Sequence, residues 1–130
     1  MASVPRPVRA AACRPKGHAT TTERGHEELL RRLAISDEAA LVSCVVGVDA
    51  ADARLGPKTA ALIRLAALVA TGAEGPSYQW VIGAALACGA DEFEIVDVLS
   101  VVAPMVGVAR VTAAAQNVAA AIGYELDEDL

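Results

Sequence analysis

From about Thr22 onward, apolar residues recur in blocks of ten or more positions separated by Gly and Pro, and this pattern predicts a succession of helices. The first, GHEELLRRLA, is short and charged. The second begins with Ser36 as N-cap, followed by Asp37 and Glu38 at the positive end of the helix dipole, and runs through ALVSCVVGV. Its β-branched content also suits a strand, but a lone strand would have nothing to pair with elsewhere in the chain, so a helix is expected. Leu55-Gly56-Pro57 opens the third helix with Pro in the first turn; KTAALIRLAALVAT carries it to Gly72, a left-handed stop. Apolar on nearly every side, and broken only by Lys58 and Arg64, this helix belongs in the centre of a bundle or of an oligomer.

Gly75-Pro76-Ser77 starts a fourth helix, SYQWVIGAALAC, which Gly89 ends. Asp91 and Glu94 make a D-x-x-E capping pattern before the fifth, FEIVDVLSVVA, which Pro104 and Gly107 interrupt. The sixth, ARVTAAAQNVAAAI, is rich in Ala and stops at Gly123. Six helices with short connections, no hairpin pattern and no internal repeat give an all-α six-helix bundle as the fold class. The run of Ala along the sixth helix reads as close helix-to-helix packing, within the subunit or between subunits.

Composition narrows the picture. With 130 residues, 55% of them apolar, the chain has enough material for one core, placed here at residues 22–130 after a basic leader at 1–21. Aromatics are only 3%, so that core must be built from Ala, Val, Leu and Ile, which bury little area each and favour a partner surface. The longest uncharged stretches contain polar residues and are too short for a bilayer span, so no membrane association is expected. The leader holds Arg6, Arg9, Arg14 and Lys16 but no apolar h-region, so the expected compartment is the cytoplasm; it reads as a solvated, disordered arm, the alternative being a basic arm that touches RNA or an anionic surface. The net charge of −5 hides a split, basic up to Arg32 and acidic afterwards, ending in the tail Glu125-Leu-Asp-Glu-Asp-Leu. Nucleic acid is therefore not expected as a partner of the folded body.

Cys13, Cys44 and Cys88 are far apart and odd in number, forming neither a Cys-x-x-Cys pair nor a disulfide framework; Cys44 and Cys88 read as small buried hydrophobes. His18 and His26 are the only histidines, and no paired His or Cys accompanies them. No metal site and no cofactor are assigned.

The order Leu55-Gly-Pro-Lys-Thr59, LIRLAALVATG, AEGPSYQWV, Ala85-Leu-Ala-Cys-Gly-Ala90, Asp91-Glu-Phe-Glu-Ile95 and Ala103-Pro-Met-Val-Gly107 resembles the carboxymuconolactone decarboxylase and alkyl hydroperoxidase D family over residues 55–122. The resemblance implies that family's helical fold and a threefold or sixfold homo-oligomer. In redox-active members it also implies a Glu on the apolar helix, a Cys-x-x-Cys pair opening the next helix and a His one turn beyond. There the helix N-terminus lowers the thiol pKa while Glu and His relay protons. Counted from Gly89-Ala90, the His position falls on Val81, the second Cys on Ser77, the first Cys on Glu74 or Ala73, and the Glu on Ala61. None of these residues can perform the corresponding step, and Cys88 lies three turns from Ser77 on the same helix.

Three functional readings follow. The first is a non-redox family member, an oligomeric scaffold or small-molecule binder whose pocket would involve Ala61, Ala73, Glu74, Ser77, Tyr78, Trp80 and Val81. The second is an enzyme acting on a small cyclic or lactone-like acid through a rebuilt site, with Glu74 as base and Ser77 beside it. The third is a partner-binding protein that uses its basic leader. Against the first two stand plainer roles: Glu74 as a solvated turn residue, Ser77 as a helix-start residue, and Tyr78 and Trp80 as packing against a neighbouring subunit. Thiol peroxidase activity is not expected.

Overall fold

The computed structural model describes residues 23–46 and 54–126. The leader with Cys13 and His18, and the last four residues of the acidic tail, lie outside the described residues. Six helices are present: α1 (Glu23–Ala34), α2 (Glu38–Val46), α3 (Pro57–Thr71), α4 (Gly75–Ala87), α5 (Glu92–Val106) and α6 (Val108–Ile122). Among the described residues there is no strand, and no helix is long and apolar enough to cross a membrane. The helices divide into two compact units, α1–α2 and α3–α6.

In the first unit the turn between α1 and α2 departs from the sequence expectation. Ser36 is not the N-cap of α2. It ends α1 in a left-handed conformation, φ 58°, with its N–H donating to Leu33 O (3.0 Å) and the Asp37 N–H donating to Arg32 O (2.9 Å). This is a Schellman closure with Ser where Gly is usual. The cap passes to Asp37, whose Oδ2 accepts from the Ala40 N–H at 3.0 Å. The same oxygen accepts from Arg32 at 2.7 Å, and the guanidinium, followed by the Ala40 N–H, holds the Asp37 carboxyl below its usual range. Ser is a good N-cap in general, but here Asp one residue later satisfies the helix-start donor and also gains a cation.

The second unit is a four-helix core in which α3 packs against α4, α5 and α6, the central position its all-round apolar surface implied. Leu65 and Val69 of α3, Tyr78 and Ile82 of α4, Ile95 and Leu99 of α5, and Ala114 and Val118 of α6 form the main cluster. Full burial of each large aliphatic contributes about 1.5–3 kcal/mol. A second cluster joins Ala61 of α3, Ala85 of α4 and Ala90 just beyond it, with Leu62 packed against them.

The helix ends are closed largely as the sequence indicates. Schellman pairs end α3 at Gly72, α4 at Gly89 and α6 at Gly123. Beside Gly72, the Arg110 guanidinium of α6 donates to the Ala70 carbonyl. α3 has no basic residue in its own last turn, so α6 supplies the cation that its negative end favours. The capping box of α5 forms, with the Glu94 N–H donating to Asp91 Oδ1 at 2.8 Å and the Asp91 N–H donating to Glu94 Oε1 at 3.4 Å. Pro104, expected to interrupt α5, sits inside it, and the helix runs on to Val106. So near the C-terminus Pro removes one backbone hydrogen bond without ending the helix. The break comes at Gly107 (φ 84°, ψ 166°), a conformation open to Gly, which serves as C-cap of α5 and N-cap of α6.

Candidate functional site

The start of α4 is where the sequence places the family's chemistry. Glu74 is the N-cap, in extended conformation (φ −87°, ψ 163°), and its side chain makes no capping hydrogen bond. Pro76 follows in the first turn, and the Ser77 N–H donates to the Glu74 carbonyl at 3.1 Å. The turn lies close to α6: a Cβ on Gly75 would stand 3.3 Å from Asn117 Oδ1, and Asn117 is itself anchored by donating to the Ala113 carbonyl at 3.2 Å. A small residue at position 75 therefore lets the two helices approach.

The seven candidate residues occupy three settings. Glu74, Ser77 and Trp80 are exposed, Trp80 to 65%. Ala73 and Val81 are half-buried against the main cluster, and Tyr78, only 1% exposed, belongs to that cluster itself. Tyr78 thus packs inside its own subunit; burial pushes its phenol above the ordinary range. Ala61 meets Ala85 and Ala90 in the alanine cluster, at the other end of α4 from Ser77. The Glu74 carboxylate and Ser77 hydroxyl are thus surface groups, and the side chains turned to the core there are Ala73, Val81 and Tyr78.

The cysteines differ from their expected setting. Cys44 is exposed on α2 and free. Cys88 is half-buried at the C-cap of α4 and is disulfide-bonded. Neither is a small residue enclosed in the core, because one lies on an open helix face and the other at a helix end. Among the described residues, no group of three or more His, Cys, Asp or Glu is arranged to hold a metal ion.

A different concavity lies where the start of α5 meets the end of α6. This open groove of about 420 Å³ has a floor of Val96, Leu99, Val118 and Ile122, flanked by Phe93 and Tyr124, with Glu92 and Asp97 on its lining. Sequence reading missed it. The available signal was that α5 is apolar on two faces: Ile95 and Leu99 are buried, while Phe93 and Val96 point outward from the core. Linking that second face to Tyr124 requires knowing that α5 and α6 fold back on each other.

The model of the carboxymuconolactone decarboxylase family matches residues 37–120, from the N-cap of α2 to the last turn of α6. No curated protein and no solved structure matches the chain. The family match covers more than half of the sequence and takes in α2, upstream of the motifs that carried the resemblance: the chain belongs to the carboxymuconolactone decarboxylase family.

Proposed function

We propose that this chain is a non-redox member of its family, a self-associating helical scaffold or small-molecule binder that has kept the helices and lost the thiol site. The observation that carries this reading is the start of α4, where Ser77 and Glu74 are exposed polar groups and Val81 is an apolar packing residue. Among the described residues no thiolate, imidazole or buried carboxylate converges there to serve as nucleophile or proton relay in attack on a peroxide. Glu74 stands at the N-cap position as a solvated turn residue whose side chain makes no capping hydrogen bond, and Ser77 lies in the first turn, so neither placement requires catalysis.

Self-association is supported by large apolar groups left open on a single copy. Trp80 on α4 is one; Val101 and Met105, one turn apart on α5, and Val108 at the start of α6 are others, with Met105 exposed to 87%. Val101 and Met105 share one face of α5, and adjacent exposed apolar residues of this kind are characteristic of an interaction surface.

Two measurements test the proposal. Peroxide consumption with a dithiol reductant should equal that of a protein-free control; turnover abolished by Cys44→Ser would reveal a relocated thiol site. Light scattering coupled to gel filtration should give an oligomer, a trimer or hexamer by the family resemblance. Met105→Glu should reduce its mass while leaving the helical circular dichroism spectrum intact, and a stable monomer at micromolar concentration refutes the scaffold.

A further inference from the structure

We propose that the groove between the start of α5 and the end of α6 is a binding site for an organic cation, a molecule with an apolar body and a quaternary or protonated amine head. It is distinct from the start of α4. Three observations converge on this chemistry.

The first is shape and lining. The groove holds about 420 Å³ between mostly apolar side chains, a volume typical of small-molecule sites. The second is charge. Glu92 and Asp97 are the charged residues on the lining, which includes no Lys, Arg or His, and neither carboxylate forms an ion pair among the described residues. The neighbouring Lys58 is taken by Glu94, at 3.1 Å. α6 also ends here, at Ile122, with no basic residue in its last turn, but the Gly123 and Tyr124 N–H groups already satisfy the Ala120 and Ala119 carbonyls, so the charge of the groove comes from its two carboxylates. The start of α5 brings the opposite dipole, but Asp91 and Glu94 already cap it through their reciprocal hydrogen bonds. The local field thus favours a positive ligand.

The third observation is the placement of aromatic rings. The chain has one Trp, two Tyr and one Phe, and the Phe and one Tyr flank this groove. Phe93 is 82% exposed, so its ring is open to a ligand in the groove. Aromatic faces beside carboxylates attract an alkylammonium through cation–π and Coulomb terms, while the aliphatic floor takes up its chain. An anionic ligand meets two like charges in the same place.

Calorimetric titration of the full chain with octyltrimethylammonium, and with octanoate as its anionic counterpart, tests the inference. The cation should bind saturably, one per chain, and roughly tenfold more tightly than octanoate, a preference that weakens as salt is raised. The double variant Glu92→Gln/Asp97→Asn should erase the preference, and Phe93→Ala should weaken cation binding. Ser100→Ala, about 10 Å of helix from Phe93, should leave it unchanged. All these positions are exposed, so circular dichroism should remain that of the parent. Equal affinity for cation and anion, or a preference that survives the double variant, overturns the proposal. So does an absence of cation binding together with a fall in oligomer mass on Phe93→Ala, because the groove is then covered by a second copy.

Discussion

Lys58 at the start of α3 and Glu94 in the first turn of α5 are joined side chain to side chain, Nζ to Oε2 at 3.1 Å, and Glu94 closes the Asp91 capping box at the same time. One carboxylate therefore links two helix starts that lie 36 positions apart. Because both partners are partly open to solvent, the ion pair should contribute little, while the cap satisfies a backbone donor that would otherwise be lost. Asp91→Ala should cost about 1 kcal/mol. Glu94→Gln, which keeps a side chain able to accept the return hydrogen bond, should cost no more than about 0.5 kcal/mol. Urea unfolding of the two variants checks the ranking, and an equal loss in both would show that the ion pair dominates.

Ser36 ends α1 with φ 58°, a region in which a side chain is strained. Ser36→Gly should stabilise the turn by roughly 0.5–1 kcal/mol, and Ser36→Val, β-branched at a positive φ, should destabilise it. Had Ser36 been the N-cap of α2, Gly would have been neutral to slightly harmful. The sign of the change in urea midpoint therefore separates the two assignments.

The contrast between Asp91 and Ser36 shows which features the sequence makes legible. A capping box is a local code, two residues at fixed spacing satisfying each other's backbone, and Asp91 with Glu94 was readable for that reason. Ser serves both as N-cap and, less often, in the left-handed position, and only the neighbouring Asp37 decides between them. The same reasoning applies to the candidate site. Which residue types occupy the start of α4 was readable in order, but burial was not, because Tyr78 and Trp80 are two positions apart and one is enclosed while the other is open. The groove beside Phe93 is out of reach of local pattern altogether, since its lining includes Tyr124, just past the end of α6.

Tyr78 gives a pH-dependent test of the core. Burial raises its phenol pKa above the ordinary 10.0, so the folded state holds the proton more tightly than the unfolded chain. The associated stability is fully present below the unfolded value and is lost as pH rises through the folded one. Unfolding free energy should therefore show no Tyr78-dependent change near neutrality and decline above about pH 10. Tyr78→Phe should flatten that alkaline decline while remaining folded, as urea titrations across the range would reveal. A decline that persists unchanged in Tyr78→Phe assigns the alkaline sensitivity to another group.

Trp80 supplies the optical test of assembly, because it is the only Trp in the chain and is 65% exposed on a single copy. Covering the exposed part of an indole removes roughly 130 Å² from water, worth about 3 kcal/mol per copy. That is enough for Trp80 to be a principal anchor if a second copy lies on α4. The emission should then be blue-shifted at high concentration and move towards the solvent-exposed value on dilution, in step with the fall in mass seen by light scattering. Trp80→Arg should leave the helical spectrum intact and weaken association by at least tenfold, the change that about 1.4 kcal/mol produces. If the emission remains solvent-like in a sample whose mass is that of an oligomer, the subunits meet elsewhere, and the Val101, Met105 and Val108 surface becomes the contact to disrupt.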